Sequence, residues 1–335
     1  MRVPKGTIKR YWLIFAALTW LCFTLEAQRS YTPGVNCYTK AELLSLSDSI
    51  RVLNLQIAAN PSMARLYAKR AYYRSPLGDY AGSLRDYDSA IMLDKNYKNA
   101  YFSRGLMELH FNKCEAGLKD FYKTFALDST DCGALLGIGD AYDCMDSGKL
   151  ALEFYNKAVL CNPNDCSFIR RVGFFYFERK NYPIALEQVD KAIAKGCTDS
   201  RLFALKGHIY KETKNYSKAI DGYSEAINGD LSANERLTDP ELYADMFFNR
   251  GYCFDELKMT SKAVEDYSRA LVLNPNDKYS LYNRGLLYFN AHKKKKAGKD
   301  FYAAALLGDE DAISYLRDDF KKLYREYLAQ KRIVQ

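Results

Sequence analysis

The amino-acid sequence predicts an all-α fold, an α-solenoid of about seven helical hairpins with an N-terminal helix ahead of it and a C-terminal capping helix behind it. Three observations predict this. A small residue recurs every 34 positions at Ala71, Gly105, Gly139, Gly173 and Gly207, and again at Gly251 and Gly285. Around each, apolar residues fall at helical spacing over two stretches of about 14 residues. A polar turn separates the stretches, as at Leu77-Gly78-Asp79 and Lys180-Asn181. The hairpins then start near 64, 98, 132, 166, 200, 244 and 278, with one step of 44 among steps of 34. A lone hairpin leaves its apolar stripe wet, and stacking on neighbours buries it.

Counting from each start, the columns explain each element. Position 4 is large and apolar: Tyr67, Tyr101, Leu135, Ile169, Phe203, Phe247, Leu281. Positions 8 and 20 are small, the latter Ser83, Gly117, Ala151, Ala185, Ala219, Ala263 and Ala297, so two helices can approach closely. Position 24 fills the space between them, with Tyr87, Phe121, Tyr155, Val189, Tyr223, Tyr267 and Phe301. Position 27 is Ala in six hairpins and Thr124 in one, and Pro61, Pro163 and Pro275 stand at position 32.

With these columns the chain resembles the tetratricopeptide repeat family, whose signature is a large residue, a glycine, an aromatic, alanines flanking a second aromatic, then a proline. The resemblance covers residues 61–311 in seven copies. It implies a right-handed solenoid and a protein–protein interaction scaffold.

An internal pattern predicts ion pairs. Arg at position 7 accompanies Asp at position 23 as Arg70/Asp86, Arg104/Asp120, Arg250/Asp266 and Arg284/Asp300. The three middle hairpins lack both, with Ile138/Phe154, Val172/Gln188 and Lys206/Gly222.

The ends fit a capped array. Thr39-Lys40-Ala41-Glu42 reads as a capping box opening a helix to about Ala59, within a 28–60 linker and capping segment. At the other end, 312–335 reads as a capping helix and tail, a helix to about Lys331 facing the array with Ala312, Ile313, Tyr315, Leu316, Phe320, Leu323 and Tyr327. The ten extra residues fall near 233–243, where Asp239-Pro240 reads as N-cap and first helical residue, extending the first helix of the sixth hairpin.

Residues 1–27 read as a secretory signal peptide: Arg2, Lys5, Lys9 and Arg10, an apolar stretch from Tyr11 to Leu25, and a cleavage site after Ala27. Export to the periplasm or cell envelope, or secretion, is expected. An uncleaved anchor is the alternative, and would be the chain's one membrane attachment. The net charge of +8 over 335 residues is too dilute for a nucleic-acid surface.

Eight cysteines follow residue 27. In an exported chain Cys114/Cys144, Cys132/Cys161 and Cys166/Cys197 are the pairs the stack could bring together, as disulfides or as free thiols. No metal ligand set, cofactor motif or catalytic motif stands out, and no enzyme activity is expected.

The family resemblance implies a concave groove lined by positions 2, 5, 9, 12 and 13 of the first helices. Its apolar members would be Tyr72, Phe102, Leu106, Leu136, Phe174, Phe177, Phe248, Tyr252, Tyr279, Tyr282 and Phe289. Its polar members would include Arg65, Asn99, Arg170, Arg201, His208, Lys211, Asp245 and Asp255. The family's chaperone-binding carboxylate clamp is excluded, because position 5 never holds Lys. The expected function is a non-catalytic adaptor taking extended or helical peptide segments of partner proteins. The alternative is a membrane-anchored accessory subunit of an envelope enzyme, assembly or transport complex.

Overall fold

A computed structural model describes residues 40–229 and 240–334, with side chains from 44 to 331. The signal segment, Thr39 with its capping box, Cys37, Asp239 and most of the ten-residue insertion lie outside the described residues. The fold is all-α, of the α-solenoid class, with no strand among the described residues. It divides into two compact units, Met1–Lys195 and Gly196–Gln335, within an array that the repeat spacing alone draws as continuous.

The first unit holds α1 (Lys40–Ala59) and four hairpins: α2/α3 (Ala64–Arg74, Tyr80–Leu93), α4/α5 (Lys98–His110, Cys114–Leu127), α6/α7 (Cys132–Cys144, Gly148–Cys161) and α8/α9 (Cys166–Glu178, Tyr182–Ala194). The second holds α10/α11 (Ser200–Glu212, Tyr216–Asn228), α12/α13 (Pro240–Glu256, Thr260–Leu273), α14/α15 (Lys278–Asn290, Lys294–Leu306) and two terminal helices, α16 (Glu310–Asp319) and α17 (Lys321–Val334). Helix α12 has 17 residues where α10 has 13, so the sixth hairpin opens with an extra turn.

Local chemistry sets the helix ends. Asp131, Asp165, Asp199 and Asp277 each accept a backbone N–H in the first turn that follows. The tight turn inside every hairpin needs a left-handed residue, and one column supplies it: Gly78, Asn112, Asp146, Lys180, Lys214, Lys258 and His292 all have φ between 57° and 77°.

The core forms where the columns meet. Tyr87, Phe121, Tyr155, Tyr223, Tyr267 and Phe301 are fully buried, and the alanines at positions 20 and 27 have no exposed surface. Helix contact at position 8 is close enough that a Cβ on Gly139 would lie 2.5 Å from the Tyr155 ring.

The position-7 arginines each grip their own hairpin with two nitrogens, to Asp86 (2.6 Å), Asp120 (2.7 Å), Asp266 (2.7 Å) and Asp300 (2.8 Å) at the nearest atoms. The remaining nitrogen reaches back one hairpin, to Asn54, Asp88, Ser224 and Ser268 respectively, all at position 25. Asn54 gives α1 the role of the second helix of an incomplete hairpin. Where the pair is missing, other contacts serve. Ile138 is buried among Leu118, Phe125, Tyr142 and Phe154. A Cβ on Gly222 would meet the Gly207 backbone nitrogen at 2.8 Å, so these helices touch backbone to backbone.

Two disulfides cross the middle of the first unit: Cys114–Cys144, with Cα atoms 5.8 Å apart, and Cys132–Cys161, at 5.6 Å. Helix α6 is thereby tied at both ends. Cys253 is a free, buried thiol. Cys166 and Cys197 are each disulfide-bonded as well.

The single capping helix expected over 312–331 is instead two helices, broken at Phe320 (φ −130°, ψ 54°). Position 21 explains the break. It reads Leu84, Leu118, Leu152, Leu186, Ile220 and Val264, then Gly298. A Cβ on Gly298 would lie 2.9 Å from both Phe320 and Leu323, so the missing side chain is the seat into which the bend drops. All seven residues expected to face the array pack there, with Ala312, Leu316 and Tyr327 buried.

Candidate functional site

The inner faces of the first helices carry the expected groove residues, and the structure sorts them. Tyr72, Phe102, Phe174, Arg201, Phe248, Tyr252 and Tyr279 are partly exposed. Phe102 meets Phe121 edge-on at 5.7 Å, Phe248 lies 5.8 Å from Tyr267, and Tyr252 lies 6.2 Å from Tyr216. Six residues expected in the groove are instead buried, Leu136 and Asp255 at 6% each among them. Leu106 is 1% exposed and packs with Phe121, Ile138 and Ala141, so it is core. Phe177, Arg170 and His208 offer only 7%, 7% and 8% of their surfaces. Tyr282 and Phe289 meet the C-terminal cap, 6.2 Å and 5.5 Å from the Tyr315 ring. The cap thus occupies the inner face of the last hairpin, because α16 lies where an eighth first helix would.

A polar network crosses the inner face between the third and fourth hairpins. Arg171 donates to Asp140 at 2.6 Å and to Asp143 at 2.9 Å. Arg179 donates to Asp143 at 2.6 Å, and the Tyr155 hydroxyl donates to Asp140 at 2.8 Å. Burial pushes the Asp140 carboxyl up, and the Arg171 charge opposes it. Burial works against the Arg171 guanidinium too, yet Tyr155 and the carboxylates hold its pKa well above the ordinary value. Arg171 also sits over the Tyr155 ring at 4.9 Å. The residue columns did not single out Asp140, Asp143 and Arg171. Their signal was two aspartates at positions 9 and 12, one helical turn apart, ahead of the one arginine at position 6.

The second unit repeats the geometry between the fifth and sixth hairpins with different chemistry. The Tyr223 hydroxyl and His208 Nδ1 are 2.8 Å apart, matching Tyr155 on Asp140 in repeat position. His208 Nε2 is 3.5 Å from Asp245. Lys211 donates to Asn249 at 2.7 Å. Burial first, then the Lys211 charge, holds the His208 pKa well below its usual value, so the ring is neutral near pH 7. Burial pushes the Asp245 carboxyl up to about 6, against the pull of Lys211 and the Asn249 hydrogen bond. The neutral ring can accept from Tyr223 at Nδ1 and point Nε2–H at Asp245.

Among the described residues no group of three or more His, Cys, Asp or Glu side chains could hold a metal ion. Nor is any described helix long and apolar enough to cross a membrane.

Known proteins resemble the chain as follows. Residues 244–277 and 200–228 each match a model described as tetratricopeptide repeat. Protein FlbA of Caulobacter vibrioides is 33% identical over 79 residues, which is 24% of this chain and 13% of FlbA. Yeast Tom70 superposes with a TM-score of 0.62 at 16% identity, over 87% of this chain and 60% of that one. A chain of the Cut9–Hcn1 hetero-tetramer of the APC/C gives 0.55 at 17% identity, over 84% and 54%. The C-terminal part of a TPR repeat-containing protein from Cytophaga hutchinsonii gives 0.50 at 18%, over 72% and 95%. The chain thus spans about half of the Cut9–Hcn1 structure's chain and a small part of FlbA.

Proposed function

We propose that this chain, which belongs to the tetratricopeptide repeat family, is a non-catalytic scaffold that holds peptide segments of partner proteins along the inner faces of its first helices, outside the cytoplasm. One observation carries the reading. Phe102, Phe174, Phe248, Tyr252 and Tyr279 remain partly exposed on helices packed into their hairpins. Partly exposed aromatics on a rigid support are the usual anchors of a binding surface. The polar groups beside them are largely hydrogen-bonded to one another, which suits orientation of a ligand rather than turnover.

The disulfides support an oxidising compartment, because such bonds persist outside the reducing cytosol. Residues 1–27 support export in the same way. The natural partners are then proteins of the cell envelope or its surroundings.

Crosslinking followed by affinity capture from the native compartment tests the reading. The comparison is wild type against a variant carrying Phe174→Ala, Phe248→Ala and Tyr252→Ala. Loss of specific partners from a variant with an unchanged helical spectrum is the expected result. Full retention would move the binding surface elsewhere. Mass spectrometry of the native protein tests export, with a mature N-terminus at Gln28 expected.

A further inference from the structure

The inner-face position that is satisfied in the third hairpin is unsatisfied in the sixth. Asp143, at position 12, meets Arg171 and Arg179, which stand at positions 6 and 14 of the next hairpin. The position-24 hydroxyl of Tyr155 is bonded to Asp140 beside them. In the sixth hairpin Asp255 stands at position 12 and Tyr267 at position 24. The next hairpin offers Asn283 and Ala291 at positions 6 and 14, where the fourth has two arginines.

The consequence is visible in the structure. Asp255 is 6% exposed, yet among the described residues no hydrogen bond or ion pair reaches its carboxylate. Every other buried aspartate described here has a partner: four pair with the position-7 arginines, Asp131 with Lys98, Asp140 with Arg171, and Asp309 with the N–H of Ala312. Among the described residues the buried Tyr267 hydroxyl also lacks a hydrogen-bond partner. Burial pushes the Asp255 carboxyl up, opposed by Lys258 and reinforced by Glu256. The Tyr267 phenol is pushed up by burial and next by the Asp255 charge, so the two unpartnered groups feel each other. A buried carboxylate with no hydrogen-bond or ion-pair partner is costly and is usually paired.

We propose that Asp255 is a subsite for a cationic side chain, Lys or Arg, of the bound peptide, whose charge takes the place that Arg171 and Arg179 fill in the third hairpin. This rests on the peptide-holding reading above and adds a residue preference to it. The Tyr252 ring, one turn earlier on α12, gives the alkyl stem of such a side chain an apolar wall.

The test uses the full mature chain and an array of immobilised nine-residue peptides. Each has an Ala/Phe background with Lys, Arg, norleucine or Glu at the centre. Wild type should retain the Lys and Arg peptides about tenfold better than the norleucine peptide, the worth of a charge-assisted hydrogen bond. Asp255→Asn should bring Lys and Arg down to the norleucine level and leave norleucine binding unchanged. Asn283→Arg, which supplies the missing cation from within, should also abolish the preference and should raise the thermal midpoint. A wild type that binds all four peptides alike sinks the Asp255 subsite, and so does a preference that survives both substitutions. If Phe248→Ala with Tyr252→Ala leaves all retention intact, or no peptide is retained at all, the peptide-holding reading falls with it.

Discussion

Arg250 shows what one side chain does in this protein. It pairs with Asp266, itself only 4% exposed at the side chain, and reaches back to Ser224 in the preceding hairpin. Removing it strands a buried carboxylate as well as a link between hairpins. Arg250→Ala should therefore cost about 3 kcal/mol in urea unfolding, well above the value of an exposed pair. Asp245 acts in the opposite sense. Its pKa rises from 3.8 unfolded to about 6 folded, so folding favours the protonated acid. That contribution is complete below about pH 4 and is lost as pH rises through about 6. His208, lowered by burial, contributes stability that is lost as pH falls below 6.5, so the two slopes oppose each other in the wild type. The comparison with Asp245→Asn isolates the acid. The variant should be more stable than wild type at pH 7, by on the order of 2 kcal/mol, with the difference vanishing near pH 4. Thermal midpoints across that range check it, and a pH-independent difference would assign Asp245 a role unconnected with its charge.

At the scale of the element, α6 and α17 depend on contacts that their own sequences do not provide. Helix α6 contains Gly133, Gly137 and Gly139 in 13 residues, and each weakens an isolated helix by about 1 kcal/mol relative to Ala. The two disulfides hold its ends regardless. Cys132→Ser with Cys161→Ser opens a crosslink of sequence separation 29, which should cost about 3 kcal/mol, and amide exchange in α6 should accelerate ahead of that in α4. Helix α17 needs the seat at Gly298. Gly298→Leu restores the residue type found in most other hairpins, yet it should expel Phe320 and Leu323 and expose the C-terminal segment to proteolysis. If the C-terminus stays protected in that variant, the glycine is not what admits the cap.

For the whole molecule, the hairpin count and the ion pairs were legible in the sequence because a strict period turns each into a column, whereas the cysteines follow no column and offered three pairs without deciding between disulfide and thiol. Arg70 and Asp86 recur together, and no tertiary information is needed to see it. What the columns could not show arose where the period breaks or where partners come from the next hairpin. Asp140, Asp143 and Arg171 are a single non-recurring set separated by about thirty residues. Leu106 occupies a groove column, yet local packing against Phe121 and Ile138 buries it. The helix break at Phe320 follows from an absent side chain at Gly298, and an absence is hard to read as a contact. The repeat also looks uniform at the junction between the second and third hairpins, where the ionic rung gives way to Ile138 and the Cys114–Cys144 bond stands instead.

That substitution of a covalent link for an ionic one has a mechanical meaning. When the chain is stretched from its ends, ionic rungs yield one at a time and each hairpin pays out its full length. The overlapping crosslinks Cys114–Cys144 and Cys132–Cys161 let tension bypass about 30 residues, a length of about 100 Å that the oxidised protein withholds. Single-molecule pulling before and after reduction should show that increment appear. The middle of the first unit is thus a stretch of fixed length in an otherwise extensible chain, able to keep a bound partner's attachment points at constant spacing under load.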